Sequence, residues 1–167
     1  MYFHRETNLD AVRAILTNPK IYPMMGDDFV PPREEFIPND HPEIRYIIAR
    51  NADYRRIGLF TLIPQNKICW EIHVAMLPKA PAFERWSAAR QLIDWLRANT
   101  ECQRLTASVP ANNKPAIHYG VQGLGMYICG RQERAFQKNG KLEDLVILGR
   151  SLREQKEETP CQVSSPA

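Results

Sequence analysis

Three apolar, β-branched runs follow one another between residues 44 and 77, and the segments between them are too short for a crossover. Ile44–Ala49 is followed by the turn chemistry of Asn51-Ala52-Asp53. Ile57–Ile63 ends at Pro64-Gln65-Asn66-Lys67, and Ile68–Leu77 completes the set. Parallel neighbours need a connection of about a dozen residues or more, so these runs predict an antiparallel meander. Phe83–Asn99 then reads as a long helix, with Ala88, Ala89, Leu92, Ile93, Trp95 and Leu96 at helical spacing and Arg90, Asp94 and Arg97 facing away.

The flanking segments complete the outline. Asn8–Leu16 predicts a short helix capped by Thr7 or Asn8, with Leu9, Val12, Ile15 and Leu16 on one face. Residues 18–42 hold Pro19, Pro23, Pro31, Pro32, Pro38 and Pro42. That density forbids a long helix or a central strand, so the segment reads as an irregular arm with at most a turn or two of helix. Arg104–Val109 predicts a strand and Asn113–Gly120 a short helix with Pro115 in its first turn. Met126–Gly130 and Leu142–Leu148 predict two closing strands joined through Asn139-Gly140. The expected architecture is an α/β domain over residues 1–152, with one mixed, mostly antiparallel sheet of six to seven strands and helices on both faces. Residues 153–167 carry no core-forming pattern and are expected to be a disordered tail.

Composition narrows the function classes. The net charge is only +3, and no run of five or six Lys/Arg residues occurs, which argues against nucleic acid. No stretch approaches the ~20 apolar residues of a membrane span, and the polar start does not read as a signal peptide. Cys69 and Cys129 lie in strand-like apolar runs and are expected to be buried free thiols; with Cys102 and Cys161 they form no CxxC and no zinc set. A reduced, cytoplasmic protein is expected, in the host or the virion should a phage encode it. The three tryptophans, Trp70, Trp86 and Trp95, read as core or pocket lining, and His4, His41 and His118 as isolated surface or satisfied side chains.

Three pieces of the second half carry a resemblance when taken in order. These are Val109-Pro110-Ala111-Asn112-Asn113-Lys114-Pro115-Ala116-Ile117, then Gly125-Met126 with Gly130, then Asn139-Gly140 with Asp144 and Leu148-Gly149. Together they resemble the GNAT superfamily of N-acetyltransferases, in its RimJ/RimL-like branch, over roughly residues 44 to 150. The stretch Glu71–Pro78 ahead of the long helix is similar to small GNAT-like head-assembly proteins of short-tailed phages.

The resemblance implies acetyl-CoA as donor and direct transfer to an amine, with no metal and no covalent enzyme intermediate. It makes 72–77 the strand that pairs with pantetheine, with Val74, Ala75 and Met76 nearest the thioester; an ordinary central strand is the alternative. The pyrophosphate loop then falls on residues 79–85, where Lys79, Ala82 and Arg85 are the expected contacts. The usual loop is glycine-rich because glycine lets backbone approach phosphate. This one contains no glycine, and Pro81 lacks an N–H.

Glu71 and His73 share one side of that strand by alternation and are candidate bases, or else a structural hydrogen-bonded pair. Tyr119 is the candidate acid for the leaving thiolate, although counting from Asn113 places the family position on Gly120 and counting from Asn112 places it on Tyr119. Asn113 is an expected CoA contact. The arm and the meander turns are expected to bind the acceptor, either a small amine or a protein N-terminus or lysine. Asp27, Asp28, Glu34, Glu35 and Asp40 make the arm acidic, which suits an amine or is simply a solvated loop. The rival expectation is a non-catalytic protein of phage assembly that binds capsid or portal proteins; a homodimer stays open in either case.

Overall fold

The computed structural model describes residues 1–153. Its elements are β1 (Tyr2–Glu6), α1 (Leu9–Leu16), α2 (Tyr22–Met25), β2 (Arg45–Arg50), β3 (Arg56–Pro64), β4 (Cys69–Met76), α3 (Ala82–Asn99), β5 (Arg104–Pro110), α4 (Lys114–His118), β6 (Tyr127–Lys138) and β7 (Lys141–Ser151). The seven strands form one open sheet in the order β1-β2-β3-β4-β5-β7-β6. Only β4 and β5 run parallel; every other neighbouring pair is antiparallel. The expected tail lies, from residue 154 on, outside the described residues.

Alternation along the central strands divides the core between two faces. On one face Ile47, Phe60, Leu62, Trp70, Ile72 and Leu105 pack against Ala88, Ala89, Leu92 and Leu96 of α3. On the other, Tyr46, Ile48, Leu59 and Ala75 pack against Val12, Ile15 and Leu16 of α1. Asn8 caps α1, its side-chain oxygen accepting from the N–H groups of Asp10 (2.9 Å) and Ala11 (3.2 Å).

Three differences from the sequence-based outline have physical causes. β1 was not predicted because a polar edge strand turns few residues inward; Phe3 does so, against Phe60 and Trp95. β6 continues to Lys138 rather than ending at Gly130. It is the other sheet edge, so Arg131-Gln132-Glu133-Arg134 stays in solvent, and two register shifts carry the strand past them. Asn139 and Gly140, with φ of 51° and 71°, make the tight turn into β7. Finally, Cys129 is exposed rather than buried, because this edge strand has no covering layer, and Cys69 is half-buried. Among the described residues the buried thiol is Cys102, whose pKa burial pushes up to about 11.

Candidate active site

The parallel contact between β4 and β5 is brief. Cys69, Trp70 and Glu71 face Arg104, Leu105 and Thr106, and beyond Glu71 the two strands part. The Ile68 carbonyl accepts from Arg104 N–H on the β5 side, and Leu77 N–H donates to the Ile57 carbonyl on the β3 side. Peptide groups alternate along a strand, so those of Ile72, Val74 and Met76 point into the widening gap. α3 follows β4, and α4 follows β5, so one helix start flanks each arm of the splay.

A cleft of about 870 Å³ fills this gap and passes through to the α1 face. Its walls include His73, Val74, Ala75, Met76, Arg85, Asn113 and Tyr119 of the expected site residues. Glu71, Lys79 and Ala82 are not among its lining residues. The expected base pair is therefore divided. His73 projects into the cleft with half its side chain exposed, in one row with Tyr46 and Thr61 of the neighbouring strands. Glu71 sits behind it, accepting from the Gln65 amide at 2.9 Å and standing 3.9 Å from His73 Nε2, an ion-pair distance rather than a hydrogen bond.

After β5 the two counted positions, Tyr119 and Gly120, differ in their surroundings. A Cβ at position 120 would come to 2.5 Å from Leu148 Cδ1, so any other residue there requires that buried leucine side chain to shift. Both residues line the cleft, and Tyr119 is the one that offers it a side chain. Its hydroxyl donates to the Arg85 carbonyl at 2.9 Å, its ring packs on Trp86, and burial raises its pKa above the ordinary phenol value. The helix widens here into a π-type turn, Tyr119–Gly123, closed by Leu124 N–H on the Tyr119 carbonyl. Such turns re-aim side chains at functional sites. Asn113 caps α4, its side chain accepting from Ala116 N–H at 3.2 Å. His118 also lines the cleft, edge-on to Trp86; read from sequence it was an isolated histidine, and its place beside Tyr119 was the only hint.

At the start of α3, Pro81 is the residue before the first helical one. Its missing N–H is therefore not one of the first-turn donors; the N–H of Arg85 is the first to bond back, to the Pro81 carbonyl, which leaves those of Ala82, Phe83 and Glu84 ahead of the helical ladder. The Glu84 carboxylate stands in that first turn and accepts from the buried Asn51 amide at 2.9 Å. It supplies negative charge where a phosphate would otherwise be favoured.

The arm lines the opposite half of the cleft through Lys20, Ile21, Met24, Met25, Phe36, Ile37 and Asn39. Its acidic residues do not. Asp28 accepts from the N–H groups of Asn139 (2.7 Å) and Gly140 (2.8 Å) at the β6–β7 turn, Asp27 from Phe29 N–H, and Glu34 pairs with Arg33. Among the described residues, no cluster of His, Cys, Asp and Glu could hold a metal, and no helix is long and apolar enough to cross a membrane.

No family model and no curated protein matches the chain significantly. Solved structures do. The spermidine N-acetyltransferase of Vibrio cholerae in complex with CoA and spermine superposes with a TM-score of 0.72 at 16% identity, over 90% of this chain and 95% of that one. A candidate phosphinothricin N-acetyltransferase gives 0.67 at 20% identity, over 92% and 99%. A Streptococcus mutans protein gives 0.67 at 15% identity, over 92% and 100%. The chain has the GNAT fold.

Proposed function

We propose that this GNAT-fold chain is an acetyl-CoA-dependent N-acetyltransferase acting on an amine, within or near the RimJ/RimL-like branch. The observation that carries this reading is the splay of β4 from β5, which leaves the peptide groups of Ile72 and Val74 facing a cleft with helix starts on both sides. A pantetheine amide pairs with such a strand edge as a further strand would. Val74, Ala75 and Met76 would hold it, with Asn113 across the gap. The first-turn N–H groups from Ala82 to Glu84 would meet the pyrophosphate, with charge from Arg85 and Lys79. Acetyl-CoA, when bound, supplies the acetyl group as an activated thioester.

The chain's own groups then serve the amine's proton and the leaving thiolate. His73, open to the cleft, takes the proton of the amine directly or through water, with the Glu71 carboxylate standing 3.9 Å behind it. Tyr119 stays protonated, because burial raises its pKa. A thiol titrates near about 8.5, well below that phenol, so Tyr119, once its single O–H turns from the Arg85 carbonyl, hydrogen-bonds the departing thiolate more readily than it surrenders its proton. The acceptor enters from the arm side, either as a small amine or as a protein N-terminus or lysine.

A second reading keeps the fold and drops the chemistry, as a binding protein of phage head assembly. The glycine-free loop and the Glu84 charge at the α3 start favour it. Thermal shift with acetyl-CoA separates the two. A ligand at 100 times its dissociation constant stabilises by about 2.7 kcal/mol. Such a shift, followed by acetylated amine on mass spectrometry, supports the enzyme; no shift at millimolar acetyl-CoA favours the binding role.

A further inference from the structure

The arm-side half of the cleft is lined by apolar side chains, among them Met24, Met25, Phe36, Ile37, Ile44 and Ile63. Two of these are held well out into the mouth, Met24 at 63% exposed and Ile37 at 79%. Among the described residues, no aspartate or glutamate lines any part of the cleft. Its ionisable lining consists of the cationic Lys20 and Arg85, the imidazoles of His73 and His118, and the phenols of Tyr46 and Tyr119. The arm's carboxylates that have partners are turned to its own backbone, to Arg33 or to the β6–β7 turn.

From this we infer that the acceptor is a primary amine on an apolar or aromatic body, carrying no more than one positive charge, and that polyamines are poor substrates. The inference rests on the acetyltransferase reading and gives it a substrate class. A second ammonium held in the arm-side half would lie beside Lys20 with no carboxylate in the lining to receive it, an unfavourable placement. The single reacting ammonium is helped by the same surroundings. An apolar site with cationic neighbours lowers an amine's pKa, and only the neutral amine is a nucleophile. Methionines at the mouth adapt to more than one shape of apolar body, so a class of amines fits better than one compound. Spermine, bound by the Vibrio cholerae structural relative, is the informative contrast.

The test uses the full chain with acetyl-CoA and follows acetylated product by mass spectrometry. Phenethylamine and tryptamine are compared with spermine and spermidine, and thermal shift reports acetyl-CoA binding separately. The expected result is a kcat/KM for the aromatic amines at least about tenfold above that for the polyamines. Polyamines turned over equally well or better overturn the substrate class and leave the transferase reading standing. Bound acetyl-CoA with no turnover of any apolar amine overturns it too, whereas no acetyl-CoA binding overturns the transferase reading and the substrate class with it. Met24→Glu, at an exposed position, places a carboxylate at the mouth and is expected to move the preference toward spermine by about tenfold. An unchanged ratio in a folded Met24→Glu protein counts against the proposal.

Discussion

The Tyr119 hydroxyl donates to the main-chain carbonyl of Arg85 across 2.9 Å, joining the helical segment after β5 to the first turn of the helix after β4. One hydrogen bond thus spans the splay in which the donor is proposed to lie. Tyr119→Phe removes it while keeping the ring on Trp86. A stability loss of about 1 kcal/mol is expected. If the O–H turns from that carbonyl to the leaving thiolate during the reaction, kcat falls by about 10²-fold while KM for acetyl-CoA barely moves. Calorimetry and steady-state kinetics on one preparation read both.

His73 and Glu71 are predicted to be unequal. His73→Ala removes the imidazole that faces the cleft and should lower kcat/KM by about 10²-fold or more. Glu71→Gln leaves that imidazole in place and keeps an acceptor for Gln65, so its effect should be several times smaller. Full turnover in both variants would remove His73 from the mechanism.

Glu84→Gln tests the glycine-free loop. The amide oxygen still accepts from Asn51, but the negative charge leaves the start of α3. CoA affinity should rise by about two- to fivefold, as expected for a charge of this kind near a helix end. Isothermal calorimetry at low salt would detect it, and weaker binding would mean that phosphate lies elsewhere.

The arm is predicted to let go in acid. Asp28 is held below the ordinary aspartate range, first by the Gly140 N–H and then by that of Asn139. Because its folded pKa is lowered, its contribution is complete above the unfolded value and is lost as pH falls through the folded one. The arm should therefore stay fastened at neutral pH and loosen below about pH 4. Asp28→Asn should loosen it at pH 7, seen as faster proteolysis within residues 18–42 and a raised KM for the amine. An unchanged cleavage rate would show that other contacts, such as Lys138 on the Gly26 carbonyl, suffice.

Most of the elements were legible because their signals are local. The meander, α1, α3 and β5 each bury one face or one stripe, and that burial prints a period on the chain. β1 and the far half of β6 print none, since an edge strand in solvent needs no apolar alternation. The arm was legible as irregular from its prolines. Its acidic residues were not legible as fasteners, because Asp28 meets a turn more than a hundred residues away.

The sequence by itself determined an α/β chain with a meander, a long helix and a closing hairpin, and its family resemblance gathered Glu71, His73, Val74, Ala75, Met76, Lys79, Ala82, Arg85, Asn113 and Tyr119 into one expected site. Only the tertiary structure decided which of the candidates share a cleft. Glu71 and His73 alternate identically along β4, yet one is held behind the other by Gln65. Tyr119 and Gly120 are adjacent and both line the cleft, yet Leu148, arriving from β7, crowds a side chain at 120 and not at 119. The physical reason is common to both. Strand and helix periods are set by neighbours along the chain, whereas access to a cleft is set by atoms that folding brings from far away.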